Sequence, residues 1–124
     1  MFNIKGLSNN LHAILKLLKI GHPTRSFNAS SPKWGNFKMR PFTADEIEEI
    51  LSENGYEEED DFKITDLLAY CIRYEVVGSA EYDGEYYWHI TVHGRDYETE
   101  EQVSDLYKKF LEEKKEIQSY LDDE

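Results

Sequence analysis

The stretch FTADEIEEIL, residues 42–51, predicts a helix more clearly than any other part of the chain. Thr43 and Glu46 have the spacing of a capping box, in which each side chain accepts a hydrogen bond from the backbone N–H of the other residue. Phe42 and Ile47 occupy the two positions of a hydrophobic staple, which fixes how the chain enters the helix. The apolar stripe of this helix consists of Ile47, Ile50 and Leu51. Neighbouring segments must supply apolar faces that cover the stripe.

Amphipathic patterns predict one helix before this stretch and one after it. The first begins at the N-cap residue Ser8 and ends at Gly21, and Pro23 prevents its continuation. The second covers residues 64–73. Their stripes are Leu7, Leu11, Ile14, Leu15 and Leu18 in the first, and Ile64, Leu67, Leu68, Cys71 and Ile72 in the second. The opposite face of the second helix carries Thr65, Asp66, Ala69, Tyr70 and Arg73. Cys71 is therefore predicted to be a core residue and not a nucleophile.

A period of two replaces the helical period after residue 74 and predicts a hairpin around Asp83-Gly84. A two-residue Asp83-Gly84 loop and a three-residue Tyr82-Asp83-Gly84 loop give different registers. The three-residue loop places Tyr74, Val76 and Ala80 with Tyr86, Trp88, Ile90 and Val92. We predict this register because it groups apolar residues on one face. A further short strand is predicted near residues 36–40.

A second capping box, from Thr99 to Gln102, predicts a terminal helix over residues 99–121. Its narrow apolar seam consists of Val103, Leu106, Tyr107, Phe110, Ile117 and Leu121. A long terminal helix with so thin a seam is typical of a contact with a partner, and we predict a homodimer or a partner contact through it.

These patterns need one shared core, and the length of 124 residues fits one domain, residues 1–124. The predicted core is Leu11, Ile14, Leu15, Leu18, Ile47, Ile50, Leu51, Leu68, Ile72, Trp88 and Ile90. One cysteine excludes an internal disulfide framework, and no apolar run is long enough to span a membrane. We expect a soluble, cytoplasmic α+β domain.

Charge divides the chain into two parts. Residues 1–44 carry seven Lys and Arg and no acid, whereas residues 45–124 carry seven bases and all 26 acids, a net charge of −19. Residues 45–61 alone hold ten acids and no base. Such a surface repels a phosphate backbone and attracts a basic protein surface.

The order helix, short strand, helix, helix, hairpin, long helix resembles a winged helix-turn-helix domain over residues 8–95, with the helix 99–121 appended. The stretch 42–51 is similar to the family's second helix, residues 64–73 take the place of its recognition helix, and Tyr82-Asp83-Gly84 forms the tip of the wing. The resemblance implies a three-helix core with a β-hairpin wing, and it implies DNA binding. The sequence departs from the family in its acidic third helix and wing tip, and in Tyr74-Glu75 where a glycine is usual.

Catalytic and metal-binding patterns are weak. The sequence has no Gly-rich phosphate loop, no HExxH and no supported Ser/His/Asp arrangement, so we expect no enzyme activity and no cofactor or metal. His89 and His93 would lie about 13 Å apart in a strand and are predicted to be exposed strand histidines, not metal ligands. His12 and His22 are predicted to be surface residues.

Two function hypotheses follow, from different classes. The first is a non-catalytic acidic module that docks on a basic surface of another protein, in one version as a DNA-mimicking inhibitor similar in composition to small phage-encoded proteins that disable host nucleases. Its predicted site is Glu46, Glu49, Glu53, Glu57, Glu58, Glu59, Asp60, Asp61, Tyr70, Asp83 and Glu85. The second is a winged-helix DNA-binding transcriptional regulator that uses the basic N-terminal third. Its contacts would be Arg25, Lys33, Lys38, Arg40 and Arg73. A third idea is a structural subunit of a larger assembly.

Overall fold

The computed structural model describes residues 2–31 and 35–122. It is an α+β fold, as predicted, with four helices and two antiparallel hairpins in this part of the chain. The helices are α1 (Asn10–Ile20), α2 (Ala44–Glu53), α3 (Ile64–Arg73) and α4 (Glu100–Asp122). The strands are β1 (Phe27–Ser31), β2 (Gly35–Met39), β3 (Val77–Tyr82) and β4 (Glu85–Ile90), and a 3-10 turn, Gly94–Asp96, precedes α4.

Both predicted capping boxes are confirmed. Thr43 Oγ1 accepts from the Glu46 N–H at 3.2 Å and Glu46 Oε1 accepts from the Thr43 N–H at 2.8 Å. Thr99 and Gln102 make the same reciprocal pair at the start of α4. The prediction for α1 was one residue early, because Asn9 and not Ser8 is the N-cap, with its Oδ1 accepting from the His12 N–H at 2.9 Å.

The core lies between α1, α2, α3 and the first three turns of α4, with β4 closing one side. Most of the predicted core is buried, and Cys71 is fully buried as predicted. Burial raises the pKa of the Cys71 thiol, so the group is protonated at neutral pH. The core also takes in residues that the prediction omitted, chiefly Ile4, Phe42, Phe62, Val103, Leu106 and Phe110.

The predicted stripe of α3 is confirmed at Ile64, Leu67, Leu68 and Cys71, and the helix departs from the prediction at Tyr70 and Ile72. Tyr70, predicted to face outward, is half-buried and stacks on Phe110 with ring centroids 5.3 Å apart. Tyr74 also packs on Phe110, at 5.2 Å. Because α4 covers this flank of α3, the opposite edge is left open and Ile72, predicted to be core, is 38% exposed.

The hairpin β3–β4 closes with two residues, so the predicted three-residue register is wrong. Tyr82 pairs with Glu85 and Val77 pairs with Ile90. Asp83 and Gly84 have φ values of 57° and 82°, as in a type I′ turn, whose twist matches that of the two strands. The prediction had placed Val76 in the strand, but its N–H bonds Cys71 O at the end of α3.

The end of α3 is a Schellman motif in which Glu75 takes the left-handed position. The N–H of Val76 bonds Cys71 O and the N–H of Glu75 bonds Ile72 O, both at 3.0 Å. Glu75 has φ 62°, where glycine is usual. The turn thus keeps the expected geometry without the expected residue.

The short strand predicted near residues 36–40 is confirmed as β2, but it pairs with β1, which the pattern missed. β1 has the sequence FNASS, with one large apolar residue and no alternation. Phe27 pairs with Met39 in this hairpin. Just before α2, Phe42 exchanges two backbone hydrogen bonds with Trp88 of β4, at 2.8 and 2.7 Å. This bridge ties α2 to the second hairpin.

Candidate functional site

The C-terminal half of α2 and the loop after it form a concave acidic surface, which we call the acidic groove. It has a volume of about 410 Å³ and is lined by Glu48, Ser52, Tyr56, Glu57, Glu58 and Ile64. Glu48, Glu57 and Glu58 are exposed, whereas Ile64 is buried. A Lys or Arg side chain, with its apolar stem and charged head, has the chemistry that such a lining accepts.

The acidic run, residues 57–61, is held in place by two other elements, α1 and α4. Glu59 accepts from the Asn10 N–H at the start of α1, at 2.7 Å, and from the Tyr107 hydroxyl of α4, at 2.6 Å. Asn10 Nδ2 in turn donates to Glu57 O at 2.8 Å. Lys114 Nζ bonds Asp61 O. Burial and the Glu59 carboxylate raise the pKa of the Tyr107 hydroxyl, which therefore stays a donor. Glu59 acts as an internal anchor, and the sequence pattern had read it as a binding residue.

Tyr56, on the wall of the acidic groove, is also fixed. Its hydroxyl accepts from the Leu7 N–H at 2.9 Å and bonds Ile4 O. The segment before α1 therefore packs against the groove wall, and the groove is formed before any ligand binds.

Glu46 is bound within the protein and is not a free acid. Its carboxylate accepts from Arg25 Nη1 at 2.7 Å and lies 3.2 Å from His22 Nε2. Burial would raise the pKa of Glu46, but the bonds from Arg25 and Thr43 outweigh burial and lower it to about 2. The remaining predicted acids of α2, Glu49 and Glu53, border a second concavity of about 270 Å³ on another side of the helix.

Three predicted binding residues lie away from the acidic groove. Tyr70 packs on α4 as described. Asp83 and Glu85 are exposed at the tip of the second hairpin, whose Tyr82 contacts Phe27 of β1 with ring centroids 5.3 Å apart. The predicted site therefore divides into the surface of residues 45–61, which we call the acidic face, and a separate wing tip.

Ion pairs are scarce on the acidic face. Of its ten acids, only Glu46 forms an ion pair with a residue in the described ranges 2–31 and 35–122. Exposed acids include Asp45, Glu48, Glu49, Glu53, Glu57, Glu58, Asp60 and Asp61. Like charges on one surface repel one another, and a basic partner relieves that repulsion.

Among the described cations of the DNA-binding hypothesis, Lys38 and Arg40 line one concavity, whereas Arg25 and Arg73 are engaged elsewhere. Arg25 is engaged by Glu46 and lies 4.9 Å from the Tyr87 ring, and Arg73 is paired with Glu113 of α4. Lys33 lies outside the described residues. Lys38 and Arg40 come together with Lys19 and Arg95, two cations that the sequence pattern had not singled out. The pattern carries no sign that the turn before α4 returns to the end of α1.

The two histidines predicted to be exposed strand residues differ from each other. His89 is buried, with 4% of its surface exposed, and packs beneath Gly78, where an added Cβ would lie 2.6 Å from the ring. Burial lowers the pKa of His89. His93 lies beyond the end of β4, is exposed, and contacts Tyr97 edge-on.

The comparisons with known proteins return no family for this chain. No protein-family model matches it, and neither a curated protein nor a solved structure has significant similarity to it. Within residues 2–31 and 35–122, none of the helices combines the length and apolar character needed to cross a bilayer.

Proposed function

We propose that this protein is a non-catalytic binding module whose acidic face docks on a basic surface of another protein. The observation that carries the proposal is the acidic groove, a preformed concavity lined by three exposed carboxylates and the buried Ile64 side chain. A protein that handles nucleic acid presents Lys and Arg on its surface, so it is the class of partner that fits. In this proposal the module acts as an inhibitor or regulator by occupying the surface that nucleic acid would take.

Anchoring of the loop supports the proposal. A flexible acidic loop would lose conformational entropy on binding, whereas this loop is already tied to α1 and α4 through Glu59. The negative charge of the acidic face steers a basic partner and raises the association rate, most strongly at low salt.

We further propose a winged-helix-like architecture for the core. The order of the elements supports it once β1–β2 is taken as an expansion of the single short strand. The backbone bridge between Phe42 and Trp88 also supports it, because it joins the segment before α2 to the wing. We do not extend the family's DNA binding to this protein, because α3 has one exposed base, Arg73, and that base is paired with Glu113.

A titration with a short Lys- and Arg-containing peptide, followed by amide NMR shifts, tests the proposed function. We expect saturable shifts at Ser52, Tyr56 and Ile64 that weaken as salt is added. The groove variant Glu48→Gln, Glu57→Gln, Glu58→Gln should lose them. A charge-matched control, Asp105→Asn, Glu112→Gln, Glu116→Gln on exposed positions of α4, should keep them.

Shifts spread equally over α4 and the acidic face, or shifts unchanged in the groove variant, would show only a general attraction of a cation to an acidic protein. Either result would contradict the proposal. The alternative function, a DNA-binding regulator, is favoured by the cluster of Lys38 and Arg40 and is tested separately by duplex binding.

A further inference from the structure

A basic pocket lies where the end of α1 meets β2 and the 3-10 turn. Its volume is about 210 Å³, and four of its ten lining residues are cations, with no acid among them. The four are Lys19, Lys38, Arg40 and Arg95. Apolar residues, among them Leu18, Phe37 and Ile90, form much of the remaining wall.

Packing holds three of these cations in place. Lys19 Nζ donates to Tyr97 O, just beyond the 3-10 turn. The Arg95 guanidinium lies 5.3 Å from the centre of the Phe37 ring. The stem of Arg40 packs so closely on Gly21 that a Cβ at position 21 would lie 2.8 Å from Arg40 Cβ. The fourth cation, Lys38, is an exposed residue of β2, and no such contact holds it among residues 2–31 and 35–122.

Bringing these cations together is unfavourable without an anion. Burial lowers the pKa of Lys19, and Arg95 lowers it further, while Glu98 and Asp96 act in the opposite direction. The two acids lie near Lys19 without lining the pocket, so the concavity itself keeps an excess of positive charge.

We propose that the basic pocket binds the phosphate group of a small phosphorylated molecule. Arg40 and Arg95 would bind the phosphate oxygens through their guanidinium groups, and Lys38 would add a mobile charge. Phe37 and the apolar wall would contact the organic body of the ligand. The site is separate from the acidic groove and does not depend on its function.

Size and surroundings favour a small ligand over a nucleic-acid strand. Asp96 and Glu98 lie close to Lys19 at the pocket, and the chain as a whole has a net charge of −12, so the further phosphates of a strand would be repelled. A mononucleotide places one phosphate in the pocket and avoids that repulsion.

Amide NMR titrations at constant ionic strength, with inorganic phosphate, adenosine monophosphate and oligothymidylates of increasing length as probes, test this proposal. We expect saturable shifts at residues 18–21, 37–40 and 95 with the first two probes. Arg40→Gln and Lys38→Gln should each weaken the binding of adenosine monophosphate about tenfold, as expected for loss of one charged contact. The exposed α4 variant Lys108→Gln, Lys109→Gln should bind as the wild type does.

Three outcomes would overturn the proposal. The first is the absence of saturable shifts in the pocket with both small probes. The second is an affinity for adenosine monophosphate that is unchanged in the Lys38→Gln variant. Because the Lys38 side chain is exposed, this variant should fold as the wild type does, and a loss of affinity could not be attributed to misfolding. The third is affinity that rises steadily with oligonucleotide length, which would indicate an extended path for a strand and not a pocket for one phosphate.

Discussion

Glu46 combines a capping box with an ion pair, and its depressed pKa makes a testable prediction about pH. A group whose pKa is lowered on folding stabilises the protein above its unfolded pKa, about 4.3, and this stability is lost as the pH falls through the folded value of about 2. Glu46→Gln keeps the capping geometry but removes the charge, so the free energy of unfolding at pH 7 should fall by about 1 kcal/mol. Urea denaturation should show the difference vanishing between about pH 5 and 2. A difference that persists unchanged at the lowest pH would contradict the ion-pair explanation.

Glu59 should be the acid of the run 57–61 that matters most for stability. Glu59→Ala leaves the Asn10 N–H and the Tyr107 hydroxyl without the acceptor they now share, at a cost of about 1–3 kcal/mol in the free energy of unfolding. Its exposed neighbour provides the control, since Glu58→Ala should change stability by less than about 0.5 kcal/mol. Equal effects of the two substitutions in urea denaturation would show that Glu59 is no anchor.

Glu75 occupies a left-handed position that a side chain disfavours. Glu75→Gly should raise the free energy of unfolding by up to about 1 kcal/mol, because relief of the backbone strain exceeds the added entropy of the unfolded chain. Glu75→Gln keeps the Cβ and serves as the control for loss of charge. If thermal unfolding shows that the glycine variant is less stable than the glutamine variant, the strain is not the dominant effect at this residue.

Among the helices, α4 differs in burial between its first and second halves. Val103, Leu106 and Phe110 are buried in the core, whereas Ile117 and Leu121 are 42% and 66% exposed. The predicted seam is thus divided, and its second half is the part available to a homodimer or partner. We propose a homodimer through this half.

The variant Ile117→Lys, Leu121→Lys should therefore be monomeric in sedimentation velocity while keeping the helical signal of the wild type. The variant Glu112→Gln, Glu116→Gln makes the same change in charge and should leave the association unaltered. Sedimentation of the wild type as a monomer at high concentration would contradict the homodimer.

The helices were predictable because their signals are local. Capping boxes and stripes depend on residues three or four apart, and both boxes form as the spacing of Thr43 and Thr99 indicates. The predicted wing register was wrong because Asp83 takes a left-handed conformation together with Gly84, so the loop has two residues and not three. Strand β1 was not predicted because FNASS has no periodic apolar pattern. Its pairing with β2 is seen only in the folded structure.

For the whole molecule, the positions of the charged surfaces were partly predictable from the sequence. The acidic face follows directly from residues 45–61, because neighbours in the chain stay neighbours on α2 and its loop. The role of Glu59 and the meeting of Arg95 with Lys38 could not be predicted, because each joins segments about 50 residues apart in the chain. Sites that join distant segments can be found only when the fold is known, whereas the acidic run can be found from the amino-acid sequence alone.

The proposed function requires that the acidic face bind a basic protein surface in preference to nucleic acid, and a fluorescence anisotropy titration with random-sequence duplex DNA measures this preference. We expect no saturable binding to the duplex at low salt, nor near 0.15 M salt, where charges more than about 8–10 Å apart are screened. Micromolar affinity for the duplex at the higher salt, weakened by Lys38→Gln and Arg40→Gln, would contradict the proposed function and support a DNA-binding regulator in its place.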